Sequence, residues 1–416
     1  MMTRRDFLSA ALAGGLGWGL RPVWRSVGAA ADGPGYAIGL ETPARRYDGA
    51  SCWVHARAGV APDAGSDGGS RIVMTMNLKD LSGSDLFDAV YGLHSGDLGA
   101  NWSEPREIRT LGQETVTVDG EGDSQAALSD FWPRWHASQG VLLGTGHTVK
   151  YQDGRVMSPR PRHTAYACYD PAAGAWSRWR RLSMPDEDAF YNLGAGCTQR
   201  HDLPGGAILL PVYGVGRGAR SRVCVLRCGF DGARLRYEDH GAWLSVDDGT
   251  RGLHEPSLAR FGGEYYLTIR NDLRGYVTRS ADGLDFEPIR PWTFDDGEDL
   301  GNYNTQQHWV IHSGALFLVY TRRGADNDHV FRHRAPLFMA QVDPERLCVI
   351  RATEQILVPE RGARLGNFGV TDVSAEETWV TVAEWMQPPG VDAHGSDGSV
   401  FIARIRWDRP NALFGA

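Results

Sequence analysis

One pattern recurs six times along this chain, and it restricts the possible folds more than any other feature. Each copy has a short lead strand, a turn rich in Gly, Asp or Ser, and then a strongly apolar strand. The apolar strands read RIVMTMN (71–77), GVLLGTG (140–146), GAILLPVY (206–213), GEYYLTIR (263–270), GALFLVYT (314–321) and TWVTVAEW (378–385). Before them stand SCWVHAR, FWPRWHAS, GAGCTQRH, HEPSLARF, TQQHWVIH and FGVTDVSA. Copies begin about 50 to 80 residues apart, a length that suits a four-stranded unit and exceeds the repeat of a stacked β-helix. Weaker strands such as FDAVYGLHS, TAYACYD and RVCVLRC follow, and no long 3.6-residue apolar period appears beyond the N-terminus. The pattern predicts an all-β fold, a six-bladed β-propeller of four-stranded antiparallel blades. GSVFIARIRW (398–407) reads as a late outer strand of the sixth blade. YAIGLET (36–42) is placed to close the ring from the N-terminal side.

The first 31 residues read as an export signal and are set apart from the fold. Arg4 and Arg5 precede Asp6, Phe7 and Leu8, an apolar run follows to Leu20, and Ala29, Ala30 and Ala31 offer a cleavage site. RRDFL resembles the twin-arginine class of signals. The apolar run is shorter than the roughly 20 residues a bilayer span needs. The expected arrangement is therefore a signal over 1–31 and a propeller over 32–416, located in the periplasm or outside the cell.

Composition narrows the partners. A formal net charge of −8 argues against a nucleic-acid partner, which needs a basic face. It leaves room for a local basic pocket. With 14 Trp, 14 Tyr and 14 Phe, aromatic faces are available for sugar stacking as well as for core. Six cysteines in 416 residues do not make a disulfide scaffold. Cys224 and Cys228, four apart on a strand, share one face and read as small buried hydrophobes. No metal-ligand spacing and no nucleotide loop is present, so neither metal nor other cofactor is expected.

Two turns carry a family resemblance. SGDLGANW holds Ser95, Asp97, Gly99 and Trp102, and SADGLDF holds Ser280, Asp282, Gly283 and Phe286. Both resemble the Asp box of sialidase-like propellers, a structural turn between outer strands. The stretch HEPSLARFGGEYYLTIR also resembles sialidases, with Glu255 opening a lead strand and Arg270 closing the next. The resemblance implies that Arg270 belongs to an arginine clamp on a substrate carboxylate, with Glu255 beside a tyrosine nucleophile. Two departures follow from the same comparison. Arg46 and Arg57 stand off position for the first clamp arginine, and Phe368 stands where the tyrosine is expected. Sialidase activity itself is therefore not expected.

Three functions remain open. A glycoside hydrolase would use Glu255 as base or nucleophile and Asp85, Asp88 or Glu384 as acid. A lyase acting on a uronic-acid glycan would neutralise the carboxylate with Arg270 and take the α-proton with His308 or Tyr213. A sugar-binding propeller would do neither. In each case the partner is an oligo- or polysaccharide, expected to be acidic, with Arg270, Arg322, His136, His254, Gln307 and Asn367 as binding residues. The segment ADNDHVFRHRAPLF, with Asp328, His329, Arg332, His333 and Arg334, reads as a charged rim.

Overall fold

The computed structural model describes residues 22–28, 33–65, 69–118, 122–158, 162–185, 187–216 and 220–415. Arg4, Arg5 and the alanines at the expected cleavage site lie outside them. The described strands form six separate antiparallel sheets. Their lead strands are Ser51–Ala61, Gly122–His136, the pair Asn192–Gly194 and His201–Asp202, His254–Phe261, His308–His312, and Gly369–Ser374. The apolar strand of each repeat lies second: Arg71–Asp80, Val141–Gln152, Ile208–Val215, Glu264–Arg270, Ala315–Tyr320 and Glu377–Ala383. Those strands are apolar almost throughout because both of their faces are covered. Trp309, Trp292 and Leu318 fill the space between the fourth and fifth sheets, and Leu210, Leu226 and Leu143 that between the second and third.

The ring closes as the sequence suggests. Tyr36–Arg45 pairs antiparallel with Ser399–Trp407, from Tyr36 opposite Trp407 to Arg45 opposite Ser399. The N-terminal segment thus completes the last sheet and covers an edge that would otherwise be open. The expectation of four strands per unit holds for the first and fourth sheets; the others carry five or seven. The second sheet gains the strand Glu114–Val118, which folds back on the start of its lead strand. The sixth gains Arg25–Val27, paired with Tyr36–Ile38. That short strand lies within the segment assigned to the signal, and Arg25 also bonds Gln355 and Ile356.

The two Ser-Asp-Gly turns have one geometry. In the first, the Ser95 hydroxyl donates to Asp97 Oδ1 at 2.8 Å and accepts the Gly99 amide at 2.8 Å. In the second, Ser280 and Asp282 are 2.9 Å apart and the Gly283 amide reaches Ser280 at 2.9 Å. Gly99 and Gly283 have φ of 84° and 80°, the left-handed region that glycine adopts without a Cβ penalty. Both turns join the outer strands of their sheets, far along the chain path from the lead strands. All six cysteines are free thiols, and Cys224 and Cys228 are buried in the third sheet's core.

Candidate active site

Each of the six lead strands contains or follows one non-glycine residue with positive φ: His55, Asp130, Cys197, Glu255, Asn304 and Asn367, between 45° and 61°. In the first, second and fourth sheets this residue sits at a register shift of the strand pair. A bulge adds a residue and re-aims its side chain, which pure alternation would leave in the sheet face. Left-handed backbone at a non-glycine costs about 1 kcal/mol or more and persists only where the surroundings enforce it. Here it recurs at the same place in every unit.

Four of these residues, His55, Asp130, Cys197 and Asn367, meet one another. Asp130 Oδ1 accepts from Arg57 Nη2 at 3.0 Å, from the Cys197 thiol at 2.8 Å and from Asn367 Nδ2 at 2.9 Å. His55 Nε2 lies 3.5 Å from the same oxygen. One carboxylate of the second sheet thus touches the first, third and sixth sheets, which is possible only at the axis of the ring. Burial alone would raise its pKa. His55, Arg57 and His147 outweigh that and hold the carboxyl well below the usual range. Arg57, fully buried, also bonds the Phe368 carbonyl at 3.3 Å. It stands at the centre of the molecule, engaged with Asp130.

A second arm comes from the fourth and fifth sheets. Arg270 Nη1 donates to Glu255 Oε1, and Arg270 Nη2 donates to Asn304 Oδ1 at 2.8 Å. Their side chains are 11% and 9% exposed for Arg270 and Glu255, so the pair is close to solvent without being in it. Glu255 Oε2 and Arg270 Nε are buried and have no hydrogen-bond partner among the described residues. Burial lowers the pKa of Arg270, but Glu255 overrides it and the guanidinium is held charged more firmly than usual. Arg334 approaches the same place and donates to the Asn304 carbonyl, its Nε at 3.1 Å. Burial, then Arg270 and Arg364, push its pKa well down.

Tyr213 lies between the two arms. Its hydroxyl is 3.4 Å from His147 Nδ1, and His147 Nε2 is 3.9 Å from Asp130 Oδ2. The Arg162 guanidinium stands 4.3 Å from the Tyr213 ring. Burial raises the phenol's pKa. His254 packs edge-on against Tyr213 at 5.7 Å, and its pKa is pushed well down by burial and then by Arg270.

The structure thus gathers Glu255, Arg270, Tyr213, His254 and Asn367. Asp85, half-buried between the second and third strands of the first sheet, lies within electrostatic reach of His55, Arg332 and Arg364 at the rim. The other sequence-derived candidates lie elsewhere. Asp88 is exposed on the strand Phe87–Ser95 and makes no hydrogen bond or ion pair among the described residues. Glu384 is 1% exposed and accepts the amides of Asp397 and Ser399 at 2.9 and 3.0 Å, so it ties down a turn. Arg322 makes a two-point ion pair with Glu354 at 2.8 and 2.7 Å on the outer side of the fifth sheet. His136 ends its lead strand, six residues past Asp130, and bonds the Gly206 carbonyl at 2.9 Å. Gln307 is spent on Thr268 and on the Thr305 carbonyl. His308 is enclosed, bonded to Ser257 at 2.8 Å and packed between Trp132 and Phe368, and burial pushes its pKa well down.

Phe368 itself is fully buried against His308 and does not line the site. Asn367 is the inward residue of that strand, and an amide is no nucleophile. Sequence reasoning missed Asp130, His55, Cys197 and Arg364, and placed Arg334 only on the rim. A polar residue just before or within each lead strand was the available signal, but its offset from the apolar strand varies with each bulge.

No protein-family model and no curated protein matches this chain. Solved structures do. A protein of unknown function from Dyadobacter fermentans superposes with a TM-score of 0.62 at 13% identity, over 89% of this chain and 99% of that one. The Hadza microbial sialidase Hz136 gives 0.59 at 10%, over 85% and 66%. Trypanosoma rangeli sialidase, solved with the inhibitor DANA, gives 0.54 at 12%, over 86% and 56%. The fold is a sialidase-like β-propeller. The chain spans about two thirds or less of these two sialidases and nearly all of the Dyadobacter protein. At such identities the likeness extends to the scaffold, and chemistry must be argued from the axial residues.

Proposed function

We propose that this protein is an exported carbohydrate-active enzyme, its six sheets the six blades of one ring, that hydrolyses a glycosidic bond next to an acidic sugar and is not a sialidase. One observation carries the reading. At the axis a buried carboxylate and a buried guanidinium, Glu255 and Arg270, are paired yet each keeps an unpartnered polar atom. Buried polar atoms without partners are costly, and a ligand supplies what they lack. Arg270, with Arg334 beside it, offers planar donors to a sugar carboxylate. Glu255 is then the base or nucleophile and Asp85 at the rim the acid. The sialidase solved with sialic acid shows that this scaffold accepts an acidic sugar in a relative. The absence of a tyrosine beside Asn367 argues for a different substrate or mechanism here.

The Tyr213–His147–Asp130 chain favours one second reading, a lyase in which Tyr213 passes its phenol proton to His147 and takes the α-proton of a uronate neutralised by Arg270. Incubation with acidic oligosaccharides separates the two. Reducing ends without unsaturated-uronate absorbance, lost in Glu255→Gln, mean hydrolysis. A gain in that absorbance, lost in Tyr213→Phe, means elimination. Binding with neither product overturns the enzyme reading and leaves a sugar-binding propeller.

A further inference from the structure

Beyond Arg270 and Arg334, two more arginines, Arg332 and Arg364, stand at the mouth of the site, and neither makes an ion pair within 4 Å among the described residues. Arg364 is 8% exposed; among the described residues its Nε is buried without a hydrogen bond, and its one side-chain bond is a 3.4 Å contact with Gln387. Its guanidinium lies 4.4 Å from the Trp385 ring and 5.0 Å from the Phe331 ring. Arg332 stands 5.0 Å from the same Phe331 ring, whose residue is 42% exposed. Arg332 and His333 both have left-handed backbone, with φ of 58° and 51°. The loop is held in that form by His333, which bonds Tyr303 at 2.6 Å and Asp328 at 3.1 Å. Strain maintained by side-chain ties points to a position that matters for function.

The charge balance is uneven. Glu255 answers Arg270, and Asp272 answers Arg251 through bonds of 2.8 and 2.6 Å. Asp85 faces both Lys79 and the Arg332–Arg364 pair. Among the described residues, the other carboxylates in reach of Arg332 and Arg334 are Asp272 and Glu255, which are already engaged by Arg251 and Arg270. Burial, and then Arg332, bring the Arg364 pKa down to about 10. A ligand with a single carboxylate would leave this end of the site under-neutralised, and buried charge without a counter-charge is unstable.

We infer that the ligand carries two anionic groups, one held at Arg270 and Arg334 and a second held between Arg332 and Arg364, with the exposed face of Phe331 against the sugar ring. The inference rests on the acidic-sugar reading above. A sulfate on the same sugar or a neighbouring acidic sugar would supply the second charge equally well.

Calorimetric titration tests it with three probes at one low ionic strength: glucuronate, a monosulfated glucuronate and a disaccharide of two uronates. The expected result is at least tenfold tighter binding of one or both two-charge probes than of glucuronate. Arg332→Ala and, separately, Arg364→Met should bring the two-charge probes down to the affinity of glucuronate. A gain for the sulfated sugar assigns a sulfate, and a gain for the disaccharide alone assigns a neighbouring residue. Equal affinity for all three probes in the native protein, or a preference that survives both substitutions, overturns the inference. Glucuronate binding that is lost in Arg270→Gln would in that case leave the acidic-sugar reading standing. No binding of any probe overturns both.

Discussion

Asp130 and Arg57 show how much a single residue at the axis can matter here. They form an enclosed ion pair whose oxygen is shared with a thiol and an amide. Removing one partner of such a pair strands the other charge and typically costs about 3–5 kcal/mol. Asp130→Ala should therefore lower the denaturation midpoint far more than Asp130→Asn, which keeps an acceptor; urea unfolding followed by fluorescence measures both. The Glu255–Arg270 pair behaves likewise. Arg270→Ala strands Glu255 and should cost stability as well as binding, whereas Glu255→Gln, which keeps an acceptor for Arg270, should abolish turnover at a smaller cost in midpoint. Acid sensitivity has a definite sign. His308 and Asp130 both have folded-state pKa values below their unfolded ones. The unfolded chain thus binds more protons, and stability falls as pH falls. The histidine contribution is lost from about pH 6.5 downward and that of Asp130 from about pH 4 downward. His308→Gln should flatten the upper part of that curve in denaturation measured between pH 8 and pH 5.

At the scale of elements, the bulged lead strand is the device that turns a sheet edge into a site. The third sheet shows it in extreme form. Its lead strand is broken into Asn192–Gly194 and His201–Asp202, and the intervening turn carries Cys197 to Asp130. A Cβ on Gly196 would stand 1.9 Å from His147 Nδ1. Gly196→Ala must therefore displace the imidazole that bridges Tyr213 and Asp130. Overpacking of this kind costs about 1–3 kcal/mol. The expected readout is a lower melting temperature together with lost turnover, and an unchanged imidazole position in a structure of the variant would contradict it. Similar strands with different bulges explain why neighbouring polar residues such as Gln307 and Asn304 have different fates. One fills the packing between sheets and the other reaches the axis.

Closure decides the stability of the whole molecule. The strand Tyr36–Arg45 seals the last sheet, and Tyr36 packs on Phe317 and Trp407 of two sheets. A chain beginning at residue 48 should leave the edge Ser399–Trp407 open and aggregate, whereas a chain beginning at residue 32 loses only Arg25–Val27 and should melt within a few degrees of the full chain. Scattering and thermal melts of both chains check this. The repeat, its apolar strands, the two Ser-Asp-Gly turns and the closing strand were all legible in the sequence, because each follows from short-range rules of alternation and turn chemistry. So was the pairing of Glu255 with Arg270, which share one hairpin. The rest of the site was not. Asp130, Cys197, His55 and Asn367 come from four lead strands up to 312 positions apart, and their meeting depends on ring curvature and on one extra residue in a strand. Sequence patterns report which residues alternate along a strand; only the tertiary structure decides which of them a bulge turns toward the axis, and therefore that Asp130 stands in the centre while Glu384, Arg322 and Gln307 serve the scaffold.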